Sequence, residues 1–134
     1  MNNFRPIEGM KIPRYAGISS FFRLPIIDDP SKVDIGIVGV PWDGGTTNRP
    51  GARHGPREIR NSSSLIRLYH PISLLSPYDV CKVADLGDCP VNPADLQDSL
   101  KKIKEYYDKL IIKKTKPISI GGDHLISLPI LRAI

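Results

Sequence analysis

The stretch Pro117-Ile118-Ser119-Ile120-Gly121-Gly122-Asp123-His124 is a short apolar run that stops at two glycines, an acid and a histidine. Ile118 and Ile120 with Ser119 between them predict a buried strand, and Leu125 to Ile134 predict the start of a helix. His124 then stands at the carboxyl end of a strand, where open parallel sheets place their ligand chemistry. Glycines lack Cβ atoms and let a ligand or metal come close. A histidine presented there is a candidate metal ligand or general base. The blander role is that of a capping or hydrogen-bonded turn residue beside Asp123.

Before this strand, Lys101, Lys102, Lys104, Lys109, Lys113, Lys114 and Lys116 are interleaved with Asp95, Asp98, Glu105 and Asp108. Leu96, Leu100, Ile103, Tyr107, Leu110 and Ile111 recur near helical spacing, so Pro93 and Asp95 are expected to open a long helix with a solvated charged face. Nucleic-acid binding is the weaker reading of these lysines. A second strand is expected around Val80 to Leu86, closing on Asp85 to Asp88. Further back, Val33 to Val40 is β-branched and almost continuously apolar, as in a strand buried on both faces. Pro41 ends it, and a loop rich in glycine and proline runs to Pro56, which suits the first turn of a helix carrying Ile59, Leu65, Ile66 and Tyr69. Strand and helix alternating three times at these lengths predict right-handed crossovers and a parallel sheet.

Residues 1–32 form a different region. Pro6, Pro13, Pro25 and Pro30 exclude a long helix, while Phe4, Tyr15, Phe21 and Phe22 suggest packing on something. We therefore divide the chain into an N-terminal arm, 1–32, lying over its own domain or a neighbouring subunit, and an α/β part, 33–134. With 134 residues, 40% of them hydrophobic and 25% charged, the composition is that of one globular domain at most. The net charge of +5 matters less than its placement. Cys81 and Cys89 have no CxxC spacing, which argues against a zinc ribbon and for reduced thiols. No basic segment followed by an apolar run opens the chain, and no run approaches membrane-spanning length. A cytoplasmic, non-membrane protein is the expectation.

Three strand ends converge on one rim of such a sheet, so a polar constellation could include Asp43, Asp85, Asp88, Asp123 and His124. Turn hydrogen bonding is the commoner role for Asp43, Asp85 and Asp88. His54 and His70 sit in loop contexts and are expected outside the chemistry. Gly44-Gly45-Thr46-Thr47 lacks the Gly-Lys-Ser/Thr ending of a phosphate loop, and no GxGxxG is present. Arg49, Arg53, Arg57 and Arg60 could bind an anionic group or form ion pairs.

Gly39-Val40-Pro41-Trp42-Asp43-Gly44-Gly45-Thr46-Thr47-Asn48-Arg49-Pro50-Gly51-Ala52-Arg53-His54-Gly55-Pro56-Arg57-Glu58-Ile59-Arg60 resembles the glycine-rich loop of the agmatinase and guanidinobutyrase branch of the ureohydrolases, the arginase and agmatinase family. Pro13 to Ile18 and Arg23-Leu24-Pro25 are similar to that branch's arm, and Ser119 to His124 to its first metal-binding motif. The resemblance runs from about Pro13 to Ile134.

It implies an arginase-like three-layer α/β/α fold with a parallel sheet, here incomplete at about three strands. It also implies two manganese ions (Mn2+) bridged by a hydroxide that attacks a guanidinium carbon and releases urea. The substrate class would be a small guanidino compound such as agmatine, guanidinobutyrate or guanidinopropionate. The assembly would be a homo-oligomer, trimer or hexamer. Only His124 carries over as a direct metal ligand; Asp123 would help orient the turn. Two divalent cations lower the pKa of a bridging water, and imidazole beside carboxylates suits such ions.

The Asp-x-His-x-Asp and Asp-x-Asp motifs of the family do not occur here. The chain is therefore expected to be the N-terminal part of a ureohydrolase and inactive alone. Leu125 stands where many relatives have Ser, which leaves the substrate open. The alternatives are a non-catalytic binding or assembly module, and an anion-binding α/β domain using the arginine-rich loop.

Overall fold

A computed structural model describes residues 4–134. Met1, Asn2 and Asn3, the first residues of the arm and of the segment read for a leader, lie outside the described residues. Three strands, β1 (Ile35–Val40), β2 (Val83–Asp88) and β3 (Lys116–Gly121), form one parallel sheet in the order β2-β1-β3. The helices are α1 (Gly55–Ser62), α2 (Leu96–Ile112) and α3 (Ser127–Leu131).

β1 is central because its apolar residues serve both faces. Ile37 points into one core with Phe21, Leu24, Tyr78 and Val83, and Val38 and Val40 point into another with Trp42, Ile103, Tyr107, Leu110 and Ile126. Each such side chain, fully buried, contributes about 1.5–3 kcal/mol. The arm and α1 cover the first face, α2 and α3 the second, which makes the three-layer α/β/α arrangement. α2 starts where the Asp95 carboxylate accepts the Asp98 N–H at 2.9 Å. It buries Ser99, Ile103, Tyr107 and Leu110, four residues on one stripe, whereas Leu96 and Ile111 stay partly exposed. Its lysines pair along the solvent face, Lys102 with Asp98 at 2.7 Å and Lys104 with Asp108 at 2.8 Å.

The two outer strands end differently. β2 is flanked by the arm: the Asp85 N–H donates to Pro25 O at 3.1 Å and the Ile27 N–H to Asp85 O at 3.0 Å, a parallel bridge. The arm is held there by Arg23, which is 7% exposed and donates to the carbonyls of Ile7, Ile12 and Pro13. Phe22 and Arg23 adopt left-handed backbone, φ 56° and 59°, a conformation costing about 1–2 kcal/mol per residue that these bonds offset. β3 has no partner on its outer side among the described residues, and Ile118 is 46% exposed, not buried as its apolar pattern predicts. An edge strand and a central one carry the same pattern.

Other expectations shift too. Val80 lies in a turn, and β2 starts at Val83. α1 stops at Ser62 and continues only as a 3₁₀ turn, Ser63–Leu65, after which Tyr69 is exposed like Leu65, because the Asn61-Ser62-Ser63-Ser64 run sustains no further α-helical turn. The helix expected from Leu125 begins as a 3₁₀ turn at His124–Ile126 before α3.

Candidate functional site

The carboxyl ends of β1 and β3 are laced together by backbone. The Gly122 N–H donates to Val40 O at 3.3 Å and the Asp123 N–H to Trp42 O at 2.8 Å, continuing the β1·β3 ladder past the strands. Only glycine fits at 122, since a Cβ there would strike the Trp42 carbonyl. Below the turn Ile126 is buried in the α2 core. Above it Asp123 accepts the Leu125 N–H at 2.9 Å on Oδ1 and the Gly45 N–H at 2.6 Å on Oδ2. His124 is exposed, and its imidazole makes no hydrogen bond or ion pair among the described residues. A turn tied on three sides thus presents a free imidazole.

The acids of the expected constellation do not join it. Asp43 is buried and folds its own loop, accepting the Gly51 N–H at 2.7 Å and the Arg53 Nε–H at 2.6 Å. The Arg53 guanidinium, followed by the Gly51 amide, holds the Asp43 carboxyl well below the usual carboxylate range. Asp85 is saturated. It accepts the Phe21 N–H at 2.9 Å, the Gly87 N–H at 2.8 Å and the Arg60 guanidinium at 2.8 and 3.0 Å. Arg60 also pairs with Asp88 at 2.7 Å and stacks over the Phe21 ring, 4.0 Å from its centroid. Asp43, Asp85 and Asp88 are therefore structural anchors, the commoner role for Asp at such turns. Among the described residues no three His, Cys, Asp or Glu side chains gather to hold a metal.

Two of the four arginines are committed, Arg53 to Asp43 and Arg60 to Asp85 and Asp88. Arg49 and Arg57 are exposed, and Arg57 lines a cavity of about 410 Å³ with Ser19, Ile26, Arg60 and Asp88. His54 is exposed beside α1, and His70 Nδ1 meets Ser73 Oγ at 3.1 Å, away from the turn. Cys89 is buried, and burial, with the Asp88 charge second, pushes its thiol up to about 12, which makes it a packing residue. The sequence reading missed the contribution of Gly45, whose amide reaches across 78 residues to Asp123. It also missed the arm clamp at Arg23, whose signal was a charge inside the apolar run Phe21 to Leu24.

Residues 33–134 match the arginase family. The chain belongs to the arginase family. Across 130 residues it is 56% identical to a protein named guanidinopropionase from Pseudomonas aeruginosa, covering 97% of this chain and 41% of that one. Its fold matches proclavaminate amidino hydrolase from Streptomyces clavuligerus with a TM-score of 0.84 and 36% identity, over 90% of this chain and 40% of that one. It also matches a formiminoglutamase variant from Trypanosoma cruzi, a structure described as holding Mn2+, with a TM-score of 0.68 and 26% identity, over 77% and 35%. The chain spans about two fifths of the length of these relatives.

Proposed function

We propose that the protein carrying this chain is a manganese-dependent ureohydrolase that cleaves the guanidino group of a small guanidino compound to urea and an amine. The observation that carries this reading is the free imidazole of His124 on a turn tied to both β1 and β3, in a chain of the arginase family. The 56% identity to a guanidinopropionase supports guanidinopropionate ahead of guanidinobutyrate and agmatine. His124 would hold one of two Mn2+ ions. Bound together, such ions lower the pKa of a shared water near a guanidinium carbon. The remaining ligands would come from outside residues 4–134, since the acids here are engaged with arginines and amides. An exposed imidazole with no competing partner among the described residues suits that role.

The working form in this proposal is a homo-oligomer, trimer or hexamer, in the cytoplasm. Residues 1–32 act as an arm on the α/β part, and neither nucleic acid nor membrane is a partner. Among the described residues no helix is long and apolar enough to cross a membrane. The anion-binding alternative loses two of its four arginines to ion pairs. The test is urea release by the complete protein from the three guanidino compounds, with and without Mn2+. Metal-dependent release that His124→Ala lowers by two or more orders of magnitude supports the proposal. Equal release by His124→Ala, or none from any guanidino compound, ends it.

A further inference from the structure

We infer that Asp123 is a positioning residue, which splints the His124 turn to the glycine-rich loop and so sets where the imidazole stands. The inference rests on His124 being a metal ligand, and it concerns what makes that ligand effective.

Each Asp123 oxygen has its own N–H donor, and the two donors belong to different segments. Oδ1 takes the Leu125 N–H at 2.9 Å, which closes the turn around His124 itself. Oδ2 takes the Gly45 N–H at 2.6 Å, the short distance of a charge-assisted bond. With both oxygens occupied by amides, the carboxylate is a brace and not a second donor beside His124. The loop end of the brace is itself tied down by hydrogen bonds. Asp43 ties Gly51 and Arg53 back beneath it, and the Thr46 N–H and hydroxyl both donate to Asp43 O, at 3.2 and 2.8 Å. Gly45 must be glycine for the brace to close, because a Cβ there would lie 2.8 Å from Leu125 Cβ and 2.9 Å from Asp123 Oδ2.

Remove the brace and the two backbone bonds from Gly122 and Asp123 still hold the end of β3. The 3₁₀ turn that carries His124 then loses its tie to the loop. A metal ligand is only as effective as the partners that orient it, and losing such a partner typically weakens metal binding 10–100-fold.

The experiment is Mn2+ binding to the complete protein, read by the electron paramagnetic resonance of free Mn2+ and by bound metal per chain, on wild type and four variants. Asp123→Asn puts an amide N–H where one of the two amides must donate. Gly45→Ala leaves Asp123 chemically intact but pushes loop and turn apart. Asp34→Asn is the control: Asp34 accepts the Lys82 N–H at 2.8 Å at the opposite end of the sheet, the same kind of bond with no imidazole nearby. His124→Ala calibrates the loss of the ligand.

The expected result is about 10–100-fold weaker binding of one of the two ions in both Asp123→Asn and Gly45→Ala, with Asp34→Asn binding like wild type. Should Asp123→Asn fail to fold, Gly45→Ala carries the test. Wild-type affinity in both brace variants while His124→Ala weakens one ion overturns the inference and leaves the ligand assignment standing. Equal weakening by Asp34→Asn overturns it too, since the effect is then general stability. Unchanged binding by His124→Ala removes the reading on which the inference rests.

Discussion

The two edges of the sheet meet opposite fates. At the β2 edge the arm adds a parallel bridge at Ile26 and Asp85, Arg60 neutralises Asp85 and Asp88, and Phe21 is fully buried beneath the guanidinium. At the β3 edge Ile118 is half exposed, and α2 is tied on through Tyr107 OH and Ser119 Oγ at 2.6 Å. The difference teaches that edge protection in this chain is made by long-range contacts, backbone bonds from the arm to Asp85 with Arg60 pairing Asp85 and Asp88 beside them. An arm rich in proline cannot form a strand of its own, so buried charge fixes where it lies.

The largest expected effect is at the covered edge. Arg60→Ala leaves Asp85, whose side chain is 1% exposed, without its cation, and breaking such a pair from one side costs about 3–5 kcal/mol. Urea denaturation should register that loss, and trypsin should cut earlier at Lys11 and Arg14 as the arm loosens. If the arm stays protected, the Arg23 clamp alone holds it and the account of this edge is wrong.

At the other edge, Tyr107→Phe removes one hydrogen bond from a buried phenol, while exposed Ser119 can turn to water. About 1 kcal/mol is expected from the same denaturation. Burial raises the Tyr107 phenol above its ordinary range, so no pH dependence of stability through Tyr107 is expected below pH 9. A loss as large as that of Arg60→Ala would mean β3 is held as firmly as β2.

Between the edges, the loop after β1 should respond to acid. The Asp43 carboxyl is held low in the folded chain, so its stabilisation is complete above the unfolded carboxylate value near 4 and fades as pH falls toward the folded value. The Gly51 amide resonance should be steady from pH 7 down through the ordinary carboxylate range near 4, and shift only well below it. Asp29 and Asp98 are also held low, so the readout has to be this local one. A wild-type Gly51 resonance that titrates in the ordinary carboxylate range, and no longer does so in Asp43→Asn, would show that Arg53 and Gly51 do not hold the Asp43 carboxyl low.

The smallest effect is expected from Ile118→Thr. At a half-exposed edge position stability should change by no more than about 0.5 kcal/mol. Association of the chain at high concentration should fall, because an open apolar edge is what neighbouring strands pair with. A loss of several kcal/mol would show that Ile118 is packed and that the two edges are alike.

Much of this was legible in residues taken alone. The run from Ile35 to Val40 specified a strand buried on both faces, because β-branched residues without polar alternation have nowhere else to go. Asp95 and the spacing of Ile103, Tyr107 and Leu110 marked α2. Asp123 and His124 marked the turn that carries the candidate ligand. Less legible was the division of labour among the polar residues. Asp43, Asp85 and Asp88 look alike in sequence, as do Arg49, Arg53, Arg57 and Arg60. Which acid meets which arginine depends on crossings such as the 25 residues between Arg60 and Asp85, and no local pattern encodes them.

By itself the sequence determined the strand and helix alternation, the strand-end position of His124 and the resemblance to the arginase family, because these rest on local periodicity and contiguous motifs. Only the tertiary structure decided that β3 lies at an edge, that the arm covers β2, that the acids are anchors, and that Gly45 braces Asp123. Those outcomes depend on which distant groups meet in a low-dielectric interior, where a buried charge must find a partner.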